Sequence, residues 1–169
     1  MTTLVFLFHY GIGDYLLTAI SQRTKSDTPA TSLRQMEQLG RGVVALHYEA
    51  GKVLVSWRLL GTDASNIGFN VYRKTEASKS SKLNRTPLLA STSFVDETAD
   101  LTKQNSYYVR PVANGSEYPP STPFSLNANP PIRQYLAVPV KTPEGYTPND
   151  VSVGDLDGDG EYELIVHQR

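Results

Sequence analysis

The chain has 169 residues, of which 39% are hydrophobic and 20% charged, and its formal net charge is −1. That length suits one medium domain, or one small domain with part of another, and there is enough apolar side chain for a packed core. No basic stripe of the kind that binds nucleic acid stands out, and the absence of cysteine excludes disulfides, zinc thiolate sites and a cysteine nucleophile.

The first stretch, "LVFLFHYGIGDYLLTAI" (4–20), is apolar but interrupted by His9 and Asp14. It lacks a basic n-region and an A-x-A-like cleavage site, and it is too short and broken for a transmembrane helix. It reads as a degenerate signal sequence, or as a short helix packed on the main domain. "SQRTKSDTPATS" (21–32) is polar and linker-like. Residues 1–33 stay unassigned, and no membrane span is expected.

From Arg41 to about Asn127 the pattern is all-β. "VVALHYEAGKVLVSWRLLG" (43–61) holds two β-rich runs split by Glu49-Ala50-Gly51-Lys52, a hairpin break. In the second run Val53, Val55, Trp57 and Leu59 form one apolar face. "GFNVYRK" (68–74) sets Phe69, Val71 and Arg73 against Asn70, Tyr72 and Lys74. "TSFVDET" (92–98), "SYYVRPVANG" (106–115) and "FSLNA" (124–128) are further short strands. Short strands at close spacing with polar turns predict a β-sandwich over 34–128. A Trp in an early strand, a Tyr in the next and a Tyr pair in a late one resemble the fibronectin type III pattern. The Trp then fills the core, and one of Tyr107 and Tyr108 makes the tyrosine corner.

"NANPPIRQYLAVPVKTPEGYTPND" (127–150) is proline-rich. It predicts a connector over 129–148 with one strand, "QYLAVPV". "VGDLDGDGEYELIV" (153–166) follows, with five acidic residues and three glycines between apolar runs. Asp155, Asp157, Asp159, Glu161 and Glu163 fall on alternate positions. Calcium wants about six to eight oxygens from carboxylates and backbone carbonyls. Positions one, three and five would be Asp155, Asp157 and Asp159. Glu161 at position seven would offer its backbone carbonyl, and Glu163 would close the site with its carboxylate. Glycines at 158 and 160 permit the sharp turn. The flanks are strands rather than the helices of an EF-hand, as in the calcium loops of integrin-type propellers. The competing reading is a solvated hairpin turn built on Asp-Gly steps.

Together these stretches resemble the rhamnogalacturonan lyases of the propeller type, polysaccharide lyase family 11. The matching stretches are "RQMEQLGRGVVAL" (34–46), "VSWRLLGTD" (55–63), "FNVYR" (69–73), "YLAVPV" (135–140) and "NDVSVGDLDGDGEYELIV" (149–166). The resemblance implies a small N-terminal β-domain followed by a large calcium-binding propeller. It also implies a secreted or surface-bound enzyme that cleaves the rhamnogalacturonan I backbone of pectin by β-elimination. Such chemistry neutralises a uronate carboxylate, removes the neighbouring C5 proton and breaks the bond at C4. The expected fold is therefore all-β, a fibronectin type III-like sandwich followed by the first strands of a truncated propeller at 149–169. The polysaccharide groove would lie in blades beyond Arg169, so no catalytic residue is assigned and the fragment is expected to be inactive. From the family only the calcium loop carries over, Asp155, Asp157, Asp159, Glu161 and Glu163.

His9, His47 and His167 are scattered and read as surface or packed side chains. No Ser-His-Asp order, phosphate loop or H-E-x-x-H is present. Arg58, Arg73, Arg110 and Lys74 alternate along strands, a pattern that suits a uronate polymer or a solvated sheet face equally. Asn84-Arg85-Thr86 and Asn114-Gly115-Ser116 are glycosylation sequons. The alternative function is a non-catalytic fibronectin-like module that binds carbohydrate or protein and carries a calcium-bound tail.

Overall fold

In the computed structural model the described residues are 38–169, and they contain strands but no helix. The expectations for residues 1–33 lie outside them. Nor does any described helix have the length and apolarity to cross a membrane. Among the described residues ten strands form three antiparallel sheets. They are β1 (Val44–Glu49), β2 (Lys52–Ser56), β3 (Gly68–Thr75), β4 (Ser81–Lys82), β5 (Ser93–Asp96), β6 (Asn105–Ala113), β7 (Ser116–Glu117), β8 (Phe124–Leu126), β9 (Pro148–Gly154) and β10 (Glu163–Gln168).

The first sheet runs β1-β2-β5 and the second β4-β3-β6-β7, with β8 also paired to β6. Their inner faces meet in one core of Ala45, Val53, Val55, Trp57, Phe69, Val71, Tyr107, Val109 and Leu126. The period-two alternation of β2, β3 and β6 sends these residues inward and their neighbours out. Trp57 meets Phe69 edge to face at 5.4 Å. Each buried valine contributes about 1.5–3 kcal/mol relative to exposure. The expected apolar face of 53–59 ends early, because β2 stops at Ser56 and Leu59 is 62% exposed.

A polar plug ties the two sheets together at one end of the core. Asp96 of β5 is 2% exposed. It accepts hydrogen bonds from Arg73 Nη1 (2.5 Å), Tyr107 Oη (3.0 Å) and both the N–H and hydroxyl of Thr98. Tyr107 is thus the buried member of the tyrosine pair, and its hydroxyl bonds a side chain of the opposite sheet. Tyr108 faces out and stacks on Tyr72 across the strands, at 5.1 Å and 3°. Arg41 forms a two-pronged pair with Asp63 (2.5 and 2.6 Å), which fixes the approach to β1 against the loop after β2.

The predicted strand "QYLAVPV" does not form. Residues 136–140 have no regular structure, and Leu136, Val138 and Val140 are 45–51% exposed. Pro139 lacks an N–H, and among the described residues no strand pairs with this segment. The third sheet is the hairpin β9–β10, paired from Glu163 opposite Gly154 to Gln168 opposite Pro148.

Candidate metal centre

The turn between β9 and β10 is organised by its own carboxylates. Asp155 accepts from Gly158 N (2.8 Å) and Gly160 N (3.1 Å). Asp157 accepts from Asp159 N (3.1 Å), and Asp159 accepts from Glu161 N (2.8 Å). Glu163 reaches back across the turn to Leu156 N at 2.7 Å. Gly158 and Gly160 take φ of 79° and 90°, a region that favours glycine.

This folding gathers three of the five predicted ligands. One carboxylate oxygen each from Asp155, Asp157 and Asp159 lies within 4.8 Å of the others. Among the described residues no Lys, Arg or His pairs with any of the three. Two such charges about 4 Å apart repel by about 1 kcal/mol in bulk water and about 4 kcal/mol at an effective dielectric near 20. A hard divalent cation with a preference for carboxylate oxygen would relieve that repulsion, so the donor set fits calcium. The carboxylates of Glu161 and Glu163 stand apart from the trio. Glu163 is held by the Leu156 N–H, and Glu161 turns towards the sandwich.

The contact that Glu161 makes was not legible in the sequence. Arg58, just beyond β2, sets its guanidinium 4.2 Å over the Tyr162 ring and 3.7 Å from the Glu161 carboxylate. The same guanidinium donates to Gly40 O at 3.2 Å. Gly40 N in turn donates to Gly160 O at 2.5 Å. A Cβ on Gly160 would stand 2.7 Å from Gln38 O, and one on Gly40 would stand 2.7 Å from Glu161 Oε1. Sequence could mark Gly160 only as a turn former. The closeness of its backbone to residues 38–40, more than a hundred positions away, has no local signal.

The other predicted residues are scattered over the sandwich. His47 places Nδ1 2.8 Å from Pro130 O, and His167 lies on β10. Arg73 is committed to Asp96, and Arg110 lies 3.9 Å from Glu117. Lys74 is exposed. Asn84 is 8% exposed and bonds Val71 N, Phe69 O, Asn70 Oδ1 and Thr86 O, which leaves its amide no room for a glycan.

Residues 34–126 match the family described as rhamnogalacturonan I lyases, beta-sheet domain. The chain is similar to rhamnogalacturonan endolyase YesW and rhamnogalacturonan exolyase YesX of Bacillus subtilis (strain 168), at 43% and 40% identity over 143 residues. Each alignment covers 79% of this chain and 21% of the relative, so the chain spans about a fifth of their length. Among solved structures it is similar to an Fn3-like protein from Clostridium thermocellum, with a TM-score of 0.42 and 22% identity over 51% of this chain and 86% of the other. It is also similar to the third fibronectin III domain of human KIAA0343 protein, with a TM-score of 0.40 and 14% identity over 65% and 99%.

Proposed function

Because the chain belongs to the rhamnogalacturonan I lyase family, we propose that it is the N-terminal part of a secreted or cell-surface enzyme that cleaves rhamnogalacturonan I by β-elimination. The match of the sandwich sequence over 34–126 carries this reading. We assign the sandwich to residues 34–128, the connector to 129–148 and the opening of a propeller to 149–169. The hairpin supports that last assignment. Val151, Val153, Leu164 and Ile165 are 45–56% exposed on a two-stranded sheet, and an isolated hairpin is marginal in water. Further strands laid on it would bury these side chains.

The acidic turn is proposed as a calcium site, with Asp155, Asp157 and Asp159 as ligands, the Glu161 carbonyl as a fourth and Glu163 closing it. The clustering of the three aspartates supports this. When bound, the ion would hold the turn together rather than act on substrate. No residue from 38 to 169 is given a catalytic role. Elimination needs a base at the C5 proton and cationic groups at the uronate carboxylate. Arg58, Arg73 and Arg110 are all engaged within the chain.

The deciding experiment is the intact mass of the gene product from its own host, captured with an antibody to residues 41–128 and assayed on rhamnogalacturonan. A mass several times 18.6 kDa with unsaturated uronate products supports the lyase reading. Unsaturated products from the 169 residues alone would overturn the proposal that this part is inactive. A product near 18.6 kDa that binds pectin without cleaving it would favour the binding-module reading instead.

A further inference from the structure

Five carboxylates in nine residues repel one another, and the turn that carries them lies against residues 38–40 of the sandwich side. We propose that Arg58 is a positioning residue for this turn, a fixed counter-charge that clasps the Glu161–Tyr162 corner to residues 38–42 and keeps the turn in its binding-ready shape before any cation arrives. This deepens the calcium reading, but the clasp itself is tested without metal.

The contacts converge on one guanidinium. Its face lies 4.2 Å from the Tyr162 ring centre. One edge meets Glu161 at 3.7 Å, and the same Nη1 donates to Gly40 O at 3.2 Å. Arginine suits this place because a planar, delocalised cation stacks on an aromatic ring while its N–H groups stay free to donate. The main chain that carries this guanidinium is itself held in place. Arg58 N donates to Arg41 O at 2.8 Å, and Arg41 Nη1 approaches Arg58 O at 3.4 Å. Gly42, at φ 51°, leaves the space that the guanidinium fills, since a Cβ there would stand 2.5 Å from its central carbon. The Arg41–Asp63 pair anchors the segment from the sandwich side. Among the described residues the turn is thus tied to the sandwich side by one main-chain hydrogen bond, Gly40 to Gly160, and one cation that serves three partners. Arg58 also explains why the Glu161 side chain leaves the aspartate cluster. Its carboxylate serves the clasp.

The test is limited digestion by a glutamate-specific serine protease, with cuts mapped by mass spectrometry. Cuts after Glu161 and Glu163 report the turn, and cuts after Glu49 and Glu97 report the sandwich. In chelator, Arg58→Gln and Tyr162→Leu should each speed cutting in the turn about tenfold, the scale of losing a charge-assisted contact. Arg58→Lys should fall between them and the parent. Sandwich cuts should not change. Saturating calcium should bring all four chains back to within about twofold of one another, because the ion replaces the missing counter-charge. Turn cutting in chelator that stays within about twofold of the parent for Arg58→Gln and Tyr162→Leu overturns the proposal. An increase seen only in Arg58→Gln, together with new cuts at Glu49 and Glu97, overturns it too, as it would mark general loosening of the sandwich. Calcium that protects none of the chains ends the calcium reading, while the comparison in chelator still decides the clasp.

Discussion

Asp96 shows how much can rest on one side chain. Burial by itself would raise its pKa, but hydrogen bonds from Thr98 and the Arg73 guanidinium outweigh that and hold it below the ordinary aspartate value of 3.8. Asp63 is lowered too, chiefly by its hydrogen bond to Arg41. Both carboxyls bind protons less readily in the folded chain than in the unfolded one. Their contribution is complete above the ordinary aspartate range and is lost as pH falls through and below it. Urea unfolding followed by Trp57 fluorescence should therefore show stability falling below about pH 4. Asp96→Ala should remove about 3–5 kcal/mol at neutral pH, because Arg73 and the Tyr107 hydroxyl lose their buried partner. A loss under about 1 kcal/mol would show that the plug is dispensable. On the alkaline side, burial and then the neighbouring Glu117 push Tyr72 up to about 12. Between its ordinary value of 10.0 and about 12 the unfolded chain gives up a proton that the folded chain keeps, so stability falls across that window. Tyr72→Phe should flatten that part of the curve.

Strands were readable wherever side chains alternate over a buried face, as in β2, β3 and β6. β4 and β7 escaped notice because each has two residues, all exposed, and exists only by pairing with the edge of a longer strand. The connector erred in the other direction. Its apolar residues look strand-like, but a strand needs a neighbour, and the described residues provide none there. The turn glycines separate local from tertiary demands. Gly158 has φ 79° with open space around its missing Cβ, so Gly158→Ala should cost only about 1 kcal/mol of backbone strain. Gly160 has φ 90° and would also drive a Cβ into Gln38 O, a backbone atom that cannot swing aside. Gly160→Ala should therefore release the turn from residues 38–40. Hydrogen exchange at the Gly40 amide, which donates to Gly160 O, reads this directly. That amide should lose at least about tenfold protection in Gly160→Ala and change little in Gly158→Ala.

At the scale of the whole molecule, the sandwich and the hairpin differ in what supports them. The sandwich closes its own core between two sheets. Among the described residues the hairpin has the Arg58 contacts, one main-chain bond to residue 40 and exposed apolar side chains. Calcium should accordingly protect residues 148–168 from proteolysis and leave Val44–Leu126 unchanged. At a concentration of about 100 times Kd, binding would stabilise the occupied turn by about 2.7 kcal/mol. Equal digestion of the hairpin with calcium and with chelator would remove calcium from the account of this chain.

The parts governed by neighbours in the chain are legible from the residues alone. These are the all-β class, the apolar face of Val53, Val55 and Trp57, the alternation of Phe69 and Val71 against Asn70 and Tyr72, and the alternate spacing of Asp155, Asp157 and Asp159 in a glycine turn. Each follows from a period-two backbone or a short loop. The family resemblance was equally legible, because its stretches stand in order along the chain. Which tyrosine is buried, that Asp96 joins the two sheets, and that Arg58 reaches across the fold to the acidic turn follow from three-dimensional packing. An arginine in a strand-rich sequence looks the same whether it faces water, a polymer or a carboxylate a hundred residues away. Its partner is set by where two distant backbones cross, and the Gly40–Gly160 contact is what brings Arg58 and Glu161 together.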